Sequence, residues 1–127
     1  MIFDTNSLFI IVQAGHQEIL VNAQSSTLIH YELGNAIWKK VHLSKTLSIK
    51  EGTLLIQYFE KILAKMNLIS SETDETLKFA HEYGITFYDA SYAYLAYRIH
   101  LPLVTDDKKL KDKVSSFIKT FSANDLF

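Results

Sequence analysis

Short apolar runs alternate with longer helix-like patterns along the whole chain. The run Ile2–Asp4 ends in the polar cluster Asp4-Thr5-Asn6-Ser7, and the apolar stretch LFIIVQA follows. Polar residues of these types favour helix starts, so the pattern predicts a strand followed by a helix. Similar short runs at Leu68–Ser70, Leu101–Thr105 and Phe117–Phe121 predict three further strands.

Helix signals fall between these runs. A polar stretch, Gln24–Thr27, introduces a second helix over roughly Leu28–Val41. Ser48 and Glu51 have the spacing of a capping box ahead of LLIQYFEKILAKM, which predicts a helix ending near Asn67.

Three more helices follow along the chain. Ser71 is expected to cap a helix that runs to Gly84, a plausible C-cap. Thr86 and Asp89 repeat the capping-box spacing ahead of ASYAYLAYRIH, and a short lysine-rich helix follows Asp106-Asp107. Strands that alternate with helices indicate βαβ units and a mainly parallel sheet covered by helices.

Composition narrows the class of protein. The 127 residues, 48% hydrophobic, fit one domain over 1–127 with a real core. A net charge of −1 gives no support for a strongly basic nucleic-acid binder. The absence of cysteine excludes disulfides, thiolate zinc sites and cysteine nucleophiles, and fits a cytoplasmic protein. The N-terminal stretch lacks a basic region and is too short to span a membrane, so it is interpreted as core.

Acidic residues follow two of the predicted strands directly. Asp4 comes after the first strand, and Asp106 and Asp107 come after Leu101–Thr105. Ligands of parallel sheets bind at the carboxyl ends of the strands, so these acids are expected on one rim. Each also has a structural interpretation, because Asp is a favoured N-cap, and one of the pair is expected to cap the lysine-rich helix.

Two further acids are candidates for the same rim. Glu32 lies roughly 40° around its helix from Ala36, beside the apolar stripe rather than opposite it. A carboxylate there needs a partner, either in a structural ion pair or in a functional site. Asp89 heads a face of small residues, Ala93 and Ala96, at a helix N-terminus, where capping and metal binding are compatible.

Convergence of these acids would predict a metal site. Crowded carboxylates raise one another's pKa, and a divalent cation would relieve the repulsion. All-oxygen ligands suit Mg²⁺ or Mn²⁺, which can activate water and screen a phosphodiester.

Other chemistries have weaker support. The phosphate-binding motifs G-x-x-x-x-G-K-[ST] and G-x-G-x-x-G, the metalloprotease motif H-E-x-x-H and the serine motif G-x-S-x-G are all absent. The lysines that follow the acidic pair form either a solvated helix face or a phosphate-attracting rim; they are Lys108, Lys109, Lys111 and Lys113.

Taken together, four segments resemble the PIN-domain family, and most closely its VapC-type toxins. They are MIFDTNSL, HYELGNAIWK, ITFYDASYAYLA and LPLVTDDKKL. The resemblance implies a three-layer α/β/α fold with a short, mainly parallel central sheet. It places Asp4, Glu32, Asp89 and Asp107 as catalytic and metal-binding acids.

The resemblance also implies supporting roles, an activity and partners. Asn6 and Thr105 match supporting polar positions, and Asp106, where the family often has a small residue, either joins the site or only caps the helix. The implied activity is a Mg²⁺- or Mn²⁺-dependent endoribonuclease that leaves a 5′-phosphate and a 3′-hydroxyl. The implied partners are an RNA substrate, a cognate antitoxin that occludes the site and a second copy in a homodimer.

Two rival functions remain open at the level of sequence. A non-catalytic PIN-like module would bind RNA or a partner protein, although such a module has no need for all four acids. A receiver-like domain also gathers acids at strand ends. It ranks last, because no interior strand here ends in an isolated Asp.

Overall fold

A five-stranded parallel sheet forms the centre of the computed structural model, which describes all 127 residues. The strands lie in the order β3-β2-β1-β4-β5, and every neighbouring pair is parallel. Their bounds are β1 Ile2–Phe3, β2 Gln24–Ser26, β3 Asn67–Ile69, β4 Leu103–Val104 and β5 Thr120–Phe121. The predicted parallel α/β sheet is therefore confirmed.

Six α-helices connect these strands. Their bounds are α1 Thr5–Gln13, α2 Ile29–Trp38, α3 Ile49–Leu63, α4 Thr73–Tyr83, α5 Phe87–Ile99 and α6 Lys108–Val114. A π-helical turn, Lys39–Leu43, continues α2, and short 3-10 turns occupy Gln17–Leu20 and Ala123–Leu126. None of the helices is both long and apolar enough to cross a membrane.

The strand order creates a crevice beside the central strand. From β1 the chain moves outward through β2 to β3, and then returns to β4 on the other side of β1. Because parallel crossovers are right-handed, this reversal puts α1, α2 and α3 on one face and α4, α5 and α6 on the other. The carboxyl ends of β1 and β4 flank the switch point, where ligands bind in such sheets.

Strand β2 was not predicted from the sequence, which placed Gln24–Thr27 in a polar approach to α2. Its Ser25 and Ser26 are buried in the sheet despite their polarity. The Ser25 hydroxyl donates a 2.6 Å hydrogen bond to the Phe3 carbonyl of β1, which makes burial tolerable. The apolar pattern fails here because local hydrogen bonding, rather than hydrophobicity, accommodates the strand.

Two helix boundaries also differ from the prediction. Helix α3 starts at the expected capping box of Ser48 and Glu51 but ends at Leu63 rather than near Asn67. Helix α4 is capped by Glu72, not Ser71, and the Ser71 hydroxyl instead contacts Thr76. The predicted C-cap at Gly84 is confirmed, with a left-handed φ of 64°.

Gly52 of α3 allows close packing against the π-helical turn, and Gly34 of α2 provides its matched control. A Cβ at position 52 would lie 2.7 Å from Val41 Cγ2, whereas one at position 34 would meet nothing within 4 Å. We expect Gly34→Ala to stabilise the fold by about 0.5–1 kcal/mol through helix propensity. Gly52→Ala should destabilise it by about 1 kcal/mol, because overpacking against a stiff β-branched side chain outweighs that gain.

Urea unfolding of the two glycine variants beside the wild type measures both effects. Stabilisation by both substitutions would contradict the close contact between α3 and the π-helical turn.

Candidate active site

The first acid closes the central strand and begins the first helix. Asp4 follows β1 directly and is the N-cap of α1, where its Oδ1 accepts a 2.8 Å hydrogen bond from the Ser7 amide. The side chain is only 7% exposed. Asp4 is therefore the N-cap of α1 and also an acid at the switch point. Its structural and its functional interpretation are compatible.

Glu32 and Asp89 also lie in the first turns of helices. Glu32 belongs to the first turn of α2, and Asp89 to that of α5, whose N-cap Thr86 accepts a 3.1 Å hydrogen bond from the Asp89 amide. Both side chains are partly buried. Each carboxylate therefore lies where the positive end of a helix dipole favours it.

Asp106 and Asp107 have different roles at the end of β4. Asp107 is the N-cap of α6, and its Oδ1 accepts a 3.1 Å hydrogen bond from the Leu110 amide. Asp106 Oδ2 instead accepts from the amide of Ala123, 3.1 Å away, and so anchors the C-terminal 3-10 turn. The predicted helix cap is Asp107, which is also the residue that the resemblance assigns to the site.

Electrostatic interactions join these acids into a cluster. Burial raises the pKa of Asp4, and the nearby charge of Asp106 adds to the effect although hydrogen bonds from Thr105 and Ser7 oppose it. Burial likewise raises the pKa of Glu32 and of Asp89. Asp4 contributes to both shifts, and Asp107 raises the pKa of Asp89 further. We call Asp4, Glu32, Asp89 and Asp107 the acid rim.

A buried tyrosine supports the rim from below. Tyr92 of α5 is fully buried, and its hydroxyl lies 3.0 Å from Thr5 Oγ1 of α1. The same two hydroxyls lower the pKa of Glu32 and thus favour its charged form. Burial and the Glu32 charge together raise the pKa of Tyr92, so its phenol stays protonated and able to donate.

The two predicted supporting residues occupy different places. Thr105 is fully buried, and its Oγ1 accepts a 3.1 Å hydrogen bond from the Asp107 amide. It therefore shapes the turn that presents the acids after β4. Asn6 is exposed on the first turn of α1, where it lines a groove together with Glu32.

The donor chemistry of the rim fits Mg²⁺ or Mn²⁺. All four side chains offer carboxylate oxygens, and Glu32 Oε2 is buried without a hydrogen-bond partner. However, no group of three His, Asp or Glu side chains is close enough together to coordinate a metal ion directly. These observations are compatible, because Mg²⁺ usually keeps several waters and takes only one or two carboxylates directly.

The four lysines that follow the rim have no carboxylate partner. Lys108, Lys109 and Lys113 are exposed on α6, and Lys111 contacts the Ser122 hydroxyl. None of the four takes part in an ion pair. Both interpretations of this lysine face, solvated surface and phosphate-attracting rim, therefore remain.

Sequence reasoning missed the roles of Thr5 and Tyr92. The helical apolar pattern around Tyr92 is typical of a core aromatic, and its ring is buried. A buried phenol nevertheless needs a polar partner. This requirement was the one signal in the sequence that pointed to a polar role for Tyr92. The partner could not be named from the sequence, because Thr5 lies 87 residues away.

Comparison with known proteins places the chain in a family. No protein-family model matches it. It is 32% identical over 119 residues to a Pyrobaculum aerophilum protein named exonuclease VapC9, covering 91% of this chain and 86% of the relative. The chain belongs to the VapC family. A second VapC relative from the same organism, named ribonuclease VapC3, is 27% identical and covers 72% of this chain and 70% of its own length.

Two solved structures share the fold of this chain. The crystal structure of PAE2754 from Pyrobaculum aerophilum superposes with a TM-score of 0.82 at 27% identity, covering 98% of this chain and 90% of the other. A toxin–antitoxin complex from Klebsiella pneumoniae contains a chain that matches with a TM-score of 0.66 at 17% identity, covering 96% of each. The second likeness shows the fold alone. The expected PIN-like α/β fold of a VapC protein is confirmed.

The raised carboxyl pKa values predict how stability depends on pH. Folded Asp4, Glu32 and Asp89 bind protons more readily than their unfolded forms, whose pKa values are 3.8 for Asp and 4.5 for Glu. Stability of the metal-free protein should therefore fall as pH rises from these ordinary values through the raised folded-state values. In EDTA at neutral pH, Asp89→Asn should melt a few degrees above the wild type.

The matched measurement is the melting temperature of both proteins in EDTA from pH 3 to pH 8 (~ one unit per step). The difference should vanish at the acidic end, where the carboxyl is protonated in both states. Asp74→Asn, on an exposed residue outside the acid rim, serves as the control. A constant advantage of Asp89→Asn at all pH values would argue against charge crowding.

Proposed function

We propose that this VapC protein is a metal-dependent endoribonuclease, the toxin of a toxin–antitoxin pair, with its active site at the acid rim. One observation carries the proposal: four carboxylates from four different helix N-termini interact at the topological switch point of the sheet. The family assignment supports it, since the two relatives carry the names of nucleases.

The proposed roles follow from burial and position. Asp4 and Asp89 would hold Mg²⁺ or Mn²⁺ most directly, with Glu32 and Asp107 completing the pocket. When bound, the cation supplies an activated water and screens the phosphodiester charge. Glu32 would orient that water through its otherwise unpartnered Oε2, while the Tyr92 and Thr5 hydroxyls favour its charged form against the burial that raises its pKa.

This proposal also specifies RNA as the substrate and cleavage within the strand rather than from an end. One relative is named a ribonuclease and the more similar one an exonuclease, so the names leave the mode of cutting open. The acid rim reaches solvent, because Asp107 is exposed and Glu32 and Asp89 are only partly buried. An open rim has no need of a strand end, which favours the endonuclease.

We also propose an antitoxin partner and a homodimer. The antitoxin is supported by family membership and by the fold shared with a chain of a toxin–antitoxin complex. It would block the acid rim. The homodimer rests on the family resemblance alone.

Asp4→Asn and Asp89→Asn should each lower RNA cleavage by at least about 100-fold while leaving the protein folded, because each removes one charged ligand from the rim. The assay uses a fluorescent single-stranded RNA with Mn²⁺, Mg²⁺ or EDTA. Asp74→Asn, with the same change on an exposed residue outside the rim, should cleave as the wild type does.

Three outcomes of the cleavage assay contradict parts of the proposal. Equal cutting by wild type and both rim variants would indicate a contaminating ribonuclease. Cutting in EDTA would overturn metal dependence. Failure to cut a circular RNA, combined with cutting of its linear form, would replace the endonuclease by an exonuclease.

Thermal melting separates the enzyme from a non-catalytic binding module. A ligand that binds only the folded state stabilises it, by about 2.7 kcal/mol when present at about 100 times its Kd. Mn²⁺ should therefore raise the melting temperature of the wild type and raise that of Asp4→Asn much less. An equal rise in both proteins would place the metal elsewhere, and no rise in either would favour the binding module.

A further inference from the structure

A groove of about 560 Å³ leads away from the acid rim between α1 and α2. Glu32 and Thr5 lie at its inner end, next to the other rim acids. The remaining lining residues are mostly polar, and they are Asn6, Phe9, Ile10, Gln13, Asn35, Ala36, Lys39, Lys40, Leu43 and Ser44.

Helical spacing makes each wall of the groove a single face of a helix. On α1 the wall runs from Asn6 to Gln13, and along α2 it runs from Glu32 to Lys39, the first residue of the π-helical turn. Each pair is seven residues apart, which corresponds to about 10 Å along the helix axis. The groove therefore extends from the acid rim over a length of roughly three stacked nucleotides.

Five polar side chains of this groove make no side-chain hydrogen bond or ion pair within the protein. Asn6, Gln13 and Asn35 have exposed side chains, and none of the three is tied to another side chain of the protein. Lys39 and Lys40 are exposed and absent from all four ion pairs. Amides can hydrogen-bond base edges, and unpaired lysines attract phosphates.

The π-helical turn begins with the two consecutive lysines that line the groove. The Ser44 amide bonds to the Lys39 carbonyl, an i to i+5 hydrogen bond at 3.0 Å that widens the turn. A wider turn holds more residues, so successive side chains diverge less than in an α-helix. The Lys40 Nζ also lies 5.7 Å from the centre of the Phe9 ring across the groove. Such turns occur frequently at functional sites.

We propose that this groove binds the single-stranded RNA leading to the acid rim, with Lys39 and Lys40 contacting phosphates about three nucleotides from the scissile bond. This inference rests on the proposed function and deepens it. A strand that reaches four carboxylates is repelled by them, so cations along its path are needed to hold it. The groove supplies two, together with amides that can contact unstacked bases.

RNA binding without cleavage provides the first test. In an Asp89→Asn background with EDTA, the affinity for a labelled eight-nucleotide RNA is measured by fluorescence anisotropy at several salt concentrations. Lys39→Ala/Lys40→Ala should weaken binding and flatten the slope of log Kd against log salt by roughly 1.4, about 0.7 for each cation lost. Lys61→Ala/Lys65→Ala, which removes two exposed charges outside the groove, should leave the slope unchanged.

Substrate length provides the second test, in the wild-type background with Mn²⁺. The Lys39→Ala/Lys40→Ala protein should show a raised KM and a preserved kcat for long RNA. It should match the wild type on substrates too short to reach the lysines. Circular dichroism and melting confirm that all variants are folded.

The outcomes distinguish the groove from the active site. Wild-type affinity, salt slope and KM in the Lys39→Ala/Lys40→Ala protein would overturn the proposal that the groove binds RNA and would leave the nuclease proposal intact. Equal weakening by the control pair also overturns it, since the effect is then net charge alone. Reduced affinity and slope without any cleavage by the wild type support the groove and contradict the nuclease.

Discussion

Burial of the rim carboxylates, together with their mutual repulsion, is the constraint around which this fold is arranged. Four helices begin at the carboxyl edge of the sheet, and each contributes one acid from its N-cap or first turn. The unpaired amides at those helix starts offset part of the negative charge. The same residues that terminate strands and start helices thus carry the chemistry. For this reason the site cannot be separated from the architecture.

The acid rim lowers the free energy of unfolding of the protein. Glu32 leaves one buried oxygen without a partner, and burial raises the pKa of Asp4 although three hydrogen bonds oppose the shift. A buried polar atom without a partner calls for a physical explanation, and a catalytic role is one such explanation. Here the unsatisfied oxygen belongs to a residue between the acid rim and the groove.

Much of the fold was predictable, because the strand ends carry local signals. An apolar run followed by a helix-capping Asp specifies both β1 and the start of α1, and the same logic applies to β4 and Asp107. The capping box at Ser48 likewise identifies the start of α3. By contrast, β2 is buried through the Ser25 hydrogen bond, which no periodicity reveals. The Thr5–Tyr92 contact and the π-helical turn escaped for the same reason, since both depend on distant packing.

The position of β1 has a consequence for how the protein is made. This strand is synthesised first and lies at the centre of the sheet, yet its neighbour β4 begins at Leu103. Until that late segment has emerged from the ribosome, one edge of β1 is unpaired and Asp107 is missing from the rim. The centre of the sheet therefore depends on a non-local pairing that forms only after β4 has been made. A nascent copy that ends before Asp107 lacks one of the four acids of the rim.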